Sequence, residues 1–451
     1  MLKESESIKS KENTPKQKYP YRKFMFGQIS SLFGSEIIGY IMGWYMAIEH
    51  GSPFLLAMAM FVQFAPRIII SPIAGVLADR YNRKKIILFS DMTQAIITAA
   101  VAVMYLFGFP SNWELGIVYT FIGLRSVCQS IQRPAVGAVL PSIAPADKLS
   151  RLNGLLSLSN GVISLVGPLI ALAFLKIPFV ETFDVLWIDV ITFLIAFAFL
   201  IRIPIPNAKR ENKLENDPPQ GRKKSKFIQD FKEGVLVTKE IQGIPALILI
   251  FAFANFLITP VNTLNELLLI QKHDAGIDQM AFISLFFSSG IIIGSILASV
   301  IKKWNHQTFW MNITVVGLFS GVIIVALAPY QTYWVFALGG FITTFGIPIF
   351  GTIINTTLQL VIPNNKMGRF SGFIGAIMSI VTPIGYLISG SLAEFTGIAP
   401  LFIGASGLAI LIILLIWMTS NIGNLEKMVN KKLQMVHEQA EKIVPQEPIQ
   451  E

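Results

Sequence analysis

The turn Gly75-Val-Leu-Ala-Asp-Arg-Tyr-Asn-Arg-Lys-Lys85 lies between two long apolar runs. Residues 54–78 carry one charge, Arg67, and residues 86–107 carry one, Asp91. A surface loop of a water-soluble domain does not need apolar runs of that length on both sides. A helix that crosses the hydrocarbon core of a bilayer needs about 20 mostly apolar residues. The turn therefore reads as the tip of a hairpin at one membrane face.

The same pattern recurs along the chain. Helix-length apolar runs fall near 23–48, 54–78, 86–107, 113–139, 151–175 and 183–201. After a basic, proline-containing break they resume near 243–270, 280–301, 308–328, 331–361, 369–393 and 397–418. Backbone groups in lipid must be paired within the spanning structure, which leaves helices or a closed barrel. Barrel strands alternate apolar and polar residues, and these runs do not. The expected fold class is an all-α polytopic membrane protein with twelve transmembrane helices in two six-helix halves. The expected boundaries are a tail, 1–22; a first half, 23–201; a linker, 202–240; a second half, 241–418; and a tail, 419–451. Composition agrees, because 14% of the residues are charged, against about 25% in soluble domains. Cys128 is the only cysteine, which excludes a disulfide framework within the chain. Residues 1–22 are polar and the first run ends in Glu49-His-Gly-Ser-Pro53, without a small-residue cleavage site, so the first helix is expected to be retained.

Lysine and arginine set the orientation. One side collects Lys3, Lys9, Lys11, Lys16, Lys18, Arg22 and Lys23, then Arg80, Arg83, Lys84, Lys85, Lys148 and Arg151. It also takes Arg222, Lys223, Lys224, Lys226, Lys302, Lys303, Lys366 and Arg369, whereas the opposite side has Lys176 and Lys272. Both termini are thus expected in the cytoplasm. Topology accounts for the net charge of +9, so no nucleic-acid partner is expected. The halves read as diverged copies. Asp79–Lys84 has a counterpart at Lys302–Gln307, and Leu140-Pro141 before Arg151-Leu-Asn-Gly154 has one at Ile362-Pro363 before Arg369-Phe-Ser-Gly372. Pro168 and Pro383 interrupt the fifth and eleventh runs as candidate bends. Paired halves are the building plan of many secondary transporters.

At these residues the chain resembles the major facilitator superfamily. That family's signature between the second and third spans is a glycine, an Asp-Arg pair and a basic pair; Gly75, Asp79, Arg80, Arg83 and Lys84 match it in place. Asn82 stands where the family has a glycine and tolerates a left-handed turn. Arg125 with Gln129 resembles the family's fourth-span motif, and Gly167-Pro168 matches part of the fifth-span motif of proton-exchanging exporters. Pro66-Arg67, Ser71-Pro-Ile-Ala-Gly75 and Gln132-Arg-Pro134 look most like the macrolide-efflux and enterobactin-exporter branch. The resemblance implies a cytoplasmic latch in which the Asp79 carboxylate, with Arg83, meets the start of the eleventh span near Gly368. The second-half copy has Lys302 where the first has Asp79, so one latch of this type is implied.

Charges inside spans default to function, since each costs at least about 2.5–3.5 kcal/mol at mid-membrane. Glu36, midway along the first span, is the best candidate proton carrier, and Arg125, midway along the fourth, pairs with it or with substrate. A static Glu36–Arg125 pair is the structural alternative. Arg67 and Asp189 read evenly as pathway residues or as internal pairs. Asp91, close to the charged turn, is expected to partner Arg83 or Arg80 at the cytoplasmic gate.

Asn255, Thr259, Asn262 and Glu266 share one face of the seventh span by their spacing. Arg125, Gln129 and Gln132 do so in the fourth, and Thr344, Gly351 and Asn355 more loosely in the tenth. With Tyr40, Trp44, Phe341 and Phe345, these faces are expected to line a midplane substrate cavity. The alternative is interhelical hydrogen bonding, worth about 0.6 kcal/mol a bond. Gly39 and Gly43, Gly290 and Gly294, and Gly372 and Gly375 are expected to let helices approach closely. His50, His273 and His306 are read at loop positions and His437 in the last tail, with no metal-ligand spacing.

The reading is a multi-pass protein of a bacterial plasma membrane that exports hydrophobic or amphipathic compounds, drug or macrolide-like, by alternating access. Proton antiport is the expected drive, since the chain has no Gly-x-x-x-x-Gly-Lys-Ser/Thr loop for ATP. No cofactor or metal is expected, no enzyme activity, and a monomer. A siderophore or metabolite exporter of the same fold is one alternative. A non-transporting receptor or assembly partner is another, disfavoured by the midplane charges Glu36 and Arg125.

Overall fold

A computed structural model describes residues 20–109, 113–144, 149–203, 205, 234–236, 238, 240–301, 304, 306–420, 422–424, 426 and 428. The first helices are α1 Pro20–Glu49, α2 Pro53–Arg80, α3 Arg83–Leu106, α4 Glu114–Ile143, α5 Leu149–Leu175 and α6 Leu186–Ile201. After the linker come α7 Ile244–Leu257, α8 Thr259–His273, α9 Ile277–Val300, α10 Gln307–Leu327, α11 Tyr333–Val361, α12 Asn364–Thr396 and α13 Ile398–Thr419. Among the described residues there is no strand. The linker between 206 and 233, and residues 1–19 and 429–451 of the two tails, lie outside the described residues.

Local chemistry sets the helix ends. Ser52 accepts the Leu55 N–H at 3.3 Å, and Pro53 opens α2, where its missing N–H does no harm. Asn82 caps α3 by accepting the Lys85 N–H, with an extended backbone at φ −64°. Its role is therefore that of a cap rather than of a left-handed turn. Asp274 closes α8 in the left-handed region, φ 51°.

The seventh apolar run differs from the single helix expected. It divides at Ile258, because Pro260 has no N–H for the ladder and its ring crowds the carbonyl four residues back. Around the break, side chains take up backbone carbonyls: Asn255 Nδ2 donates to Phe251 O, Thr259 Oγ1 to Asn255 O and Thr263 Oγ1 to Thr259 O, at 2.8–2.9 Å. α5 and α12, by contrast, run on through Pro168 and Pro383.

Among the described residues, nine helices are long and apolar enough to cross a membrane, with α7 and α8 counted as one, and α6 is shorter. α1 and α4 have ample length at 30 residues each, but Glu36 interrupts one and Arg125, Gln129, Gln132 and Arg133 the other. Large apolar side chains face outward along the helices, including Ile69 (72% exposed), Phe89 (75%) and Phe395 (88%). Water disfavours such a surface and hydrocarbon does not.

The chain forms two compact units. One comprises the described residues within 1–42 and 69–213, the other those within 43–68 and 214–451. The first has a core around Phe24, Ile87, Val139, Leu140 and Leu200. Within it Gly34 brings α1 onto α6, since a Cβ there would lie 2.0 Å from Thr192 Oγ1 and 3.1 Å from Asp189 Cα. The second has a core around Phe319, Ile353, Phe370 and Ile413. Within it Gly290 and Gly294 admit α11, as a Cβ on either would meet Phe341 O at 2.6 Å or Phe345 O at 2.2 Å. Gly372 and Gly375 do not act this way; a Cβ on either meets nothing within 4 Å. Residues 43–68 pack on α12, where a Cβ at Gly390 would lie 2.9 Å from Pro53 O.

Candidate transport site

The first unit holds a buried ion pair. Arg125 Nη1 on α4 donates to Asp189 Oδ2 on α6, and its Nη2 to Asp189 Oδ1 at 3.3 Å. The pair is buried, with Arg125 5% and Asp189 0% exposed. Thr98 on α3 ties it together, accepting from Arg125 Nη1 at 2.6 Å and donating to Asp189 Oδ2 at 3.1 Å. Ser35 on α1 accepts from Arg125 Nη2 at 3.3 Å. The rings of Phe121 and Phe193 flank the guanidinium at 5.4 and 5.3 Å. Four helices thus meet on one cation.

The carboxylate that holds Arg125 is Asp189, which settles Asp189 as an internal pair rather than a lone pathway charge. Periodicity places a charge on a helix face but does not say which helices are neighbours. Glu36 is exposed, one residue from Ser35. Its Cβ lies where α1 meets α5, 3.6 Å from the Cβ that Gly167 lacks, so Glu36 stands beside Gly167-Pro168.

At the charged turn, Arg83 does not reach Asp91. Its Nε donates to Ala78 O (3.2 Å) and its Nη1 to Ala138 O (3.0 Å). Lys84 Nζ donates to the carbonyls of Ile201 (2.9 Å) and Ile203 (2.7 Å) and so caps the end of α6. Asp91 lies two turns inside α3, 0% exposed, and accepts from Gln132 Nε2 at 2.7 Å. Its partner among the described residues is therefore an amide on α4, and Arg83 is not one. A Cβ at Gly75 would meet nothing within 4 Å. The side chains of Asp79 and Arg80, together with Gly368, Lys148, Lys302 and Lys303, lie outside the described residues.

In the second unit, Asn255 and Thr259 are engaged with their own helices. Thr259 is 1% exposed and faces α12, where a Cβ at Gly385 would lie 2.7 Å from its Oγ1. Asn262 and Asn355 are exposed. Glu266 Oε2 lies 3.9 Å from where a Cβ of Gly43 would stand. Phe345 stacks on Phe341 at 5.8 Å and packs against the core. Trp44 is buried, whereas Tyr40 and Gln129 are half-buried. Arg67 lies over the Phe64 ring at 4.4 Å. His273 is the last residue of α8 and 0% exposed, so it is a buried residue rather than a loop one. Glu394 accepts from Ser52 Oγ (3.1 Å) and from the Phe54 N–H (3.3 Å) at the start of α2. No group of three or more His, Cys, Asp or Glu is placed to hold a metal among the described residues.

Two helical units with apolar outer faces and buried polar layers define an integral membrane transporter. The sequence pattern of the Major Facilitator Superfamily matches residues 24–385, and the chain belongs to that family. The chain is 26% identical over 400 residues to Macrolide efflux protein A of Streptococcus pyogenes, covering 89% of this chain and 96% of that one. It is 22% identical over 401 residues to the Staphyloferrin A transporter of Staphylococcus aureus, covering 84% and 91%. The crystal structure of the nucleoside transporter NupG superposes with a TM-score of 0.67 at 11% identity, covering 88% of this chain and 99% of that one.

Proposed function

We propose that this transporter exports hydrophobic or amphipathic compounds, macrolide-like drugs first among them, in exchange for protons. The observation that carries the reading is likeness along nearly the whole length of Macrolide efflux protein A. The site supports it. Glu36 stands beside Gly167-Pro168, and Ser35 next to it touches Arg125. A change of charge at Glu36 is therefore one residue from a cation that gathers four helices. Tyr40, Trp44, Gln129, Gln132, Asn255, Thr259, Asn262, Glu266, Phe345 and Asn355 are proposed to meet substrate. The latch at Asp79, Arg80 and Arg83 is proposed on the family resemblance. Twelve spans, cytoplasmic termini, the half boundaries given above and a monomer complete the proposal.

The test is efflux from cells and from vesicles with a panel of macrolides and dyes, with and without a proton gradient. Macrolide efflux that collapses with the gradient supports the reading. Gradient-independent movement, or inward accumulation, would overturn it. Siderophore export is the second reading, supported by the likeness to the Staphyloferrin A transporter. It predicts export of a siderophore and no protection against macrolides.

A further inference from the structure

Asp91, Gln94 and Gln132 form a second buried polar layer to which the transport reading gives no proton or ion. Asp91 and Gln94 are 0% exposed and Gln132 8%. Their hydrogen bonds run in one direction. Gln94 Nε2 donates to Gln132 Oε1 at 3.0 Å, and Gln132 Nε2 donates to Asp91 Oδ1 at 2.7 Å. Gln94 Nε2 also donates to Ser90 O at 3.3 Å. Both ends finish on acceptors, because Asp91 Oδ2 and Gln94 Oε1 are buried and have no donor among the described residues. Turning either amide over does not help. A flipped Gln94 would set its oxygen against two other oxygens, and a flipped Gln132 would set its oxygen against the carboxylate. The layer lacks hydrogen, not acceptors.

Charge points the same way. Among the described residues, the buried charges on the helices packed against α3 are Arg125 on α4 and Asp189 on α6. Asp189 carries like charge, and Arg125 is bound to it. Gln132 lies seven residues from Arg125 and Asp91 seven from Thr98, so two helical turns, about 10 Å, separate the layers. On α3 itself, Arg83 and Lys84 are committed to backbone carbonyls. An ionised Asp91 would be a buried charge without a counterion among the described residues.

We propose that Asp91 is a buried proton-binding site, separate from Glu36, held as a neutral carboxylic acid in this conformation. The proton turns Oδ2 from an orphan acceptor into a donor, with the unfilled Gln94 acceptor one turn away on the same face of α3. The site deepens the proton-exchange reading and rests on it for its use in transport, though not for its existence.

The test is infrared absorption of the full chain in lipid at neutral pH, with every aspartate carrying carbon-13 in its side-chain carboxyl. A protonated carboxyl shows a C=O stretch apart from the carboxylate bands, shifted by the label and by D2O. The expected result is a labelled acid band that persists in Glu36→Gln and disappears in Asp91→Asn. Asp91→Glu, which keeps the acid but loses the label, should exchange that band for an unlabelled one. Absence of a labelled acid band from the unmutated chain, or its survival in either Asp91 variant, would overturn the site. The unmutated chain and Asp91→Glu decide the matter even if Asp91→Asn does not assemble. Efflux that ignores the proton gradient while the band is intact would sink antiport and leave the site standing.

Discussion

Arg125 and Asp189 grip each other through both terminal guanidinium nitrogens, Nη1 and Nη2, and both carboxylate oxygens, in a layer closed by Thr98 and two phenylalanine rings. The pair is buried and its net charge is zero. A fixed cation between helices is thereby tolerated where a lone one would not be.

Removing one member leaves the other as an uncompensated buried charge, at about 3–5 kcal/mol. Asp189→Asn should therefore lower the melting temperature in detergent sharply, and Arg125→Gln should do the same. The double variant should recover much of the loss, because two neutral amides can bond each other. Equal stability of the single and double variants would show that the pair is not a unit.

Glu36→Gln should separate coupling from binding. Proton-driven efflux should fall at least tenfold, while exchange of labelled for unlabelled substrate at equal pH should persist. Measurement in vesicles decides it. Full proton-driven efflux by the variant removes Glu36 from the coupling step.

Gly34 allows no side chain. Alanine would meet both the Thr192 hydroxyl and the Asp189 backbone. Overpacking of this kind costs about 1–3 kcal/mol. Gly34→Ala should therefore reduce the monodisperse fraction in size-exclusion chromatography, and adding Thr192→Ala should restore only part of it, since the Asp189 backbone stays in the way.

Tyr330 offers a pH signature. It donates to Asp274, and that bond, chiefly, raises the phenol's pKa. The neutral phenol is the form that the folded state favours. Its contribution is fully present below the unfolded value near 10 and is lost as pH rises through the higher folded value. The melting-temperature gap between the unmutated chain and Tyr330→Phe should stay constant from neutral pH to about pH 9 and close above pH 10. A gap that widens with alkalinity would contradict the assigned direction.

The helices were legible because run length is written in the residues themselves. α9, α10 and α13 differ from the expected runs by only a few residues at either end. The division of the seventh run was legible too, in Thr259-Pro260, but apolar continuity masked it. Partners were not legible. Asp91 reads as a neighbour of Arg83 because the two are close along the chain, yet eight residues of helix carry it more than two turns inward. Asp189 reads evenly as a pathway residue or an internal pair because only tertiary packing shows that α6 brings it to Arg125 of α4. Gln94, absent from the expected site, carried one signal: its i, i+3 spacing from Asp91 on a helix otherwise rich in Ile, Ala and Val.

The attachment of residues 43–68 to the second unit has a consequence for synthesis. Ser52 and Glu394, which bond at the start of α2, are 342 residues apart. At roughly 5–20 residues per second, on the order of 20–70 s pass between the ribosome's making of one and of the other. Throughout that interval residues 43–68 are without the α12 partners they finally pack on. The segment that joins the two units' first helices is therefore among the last to be packed, although it is among the first to be made.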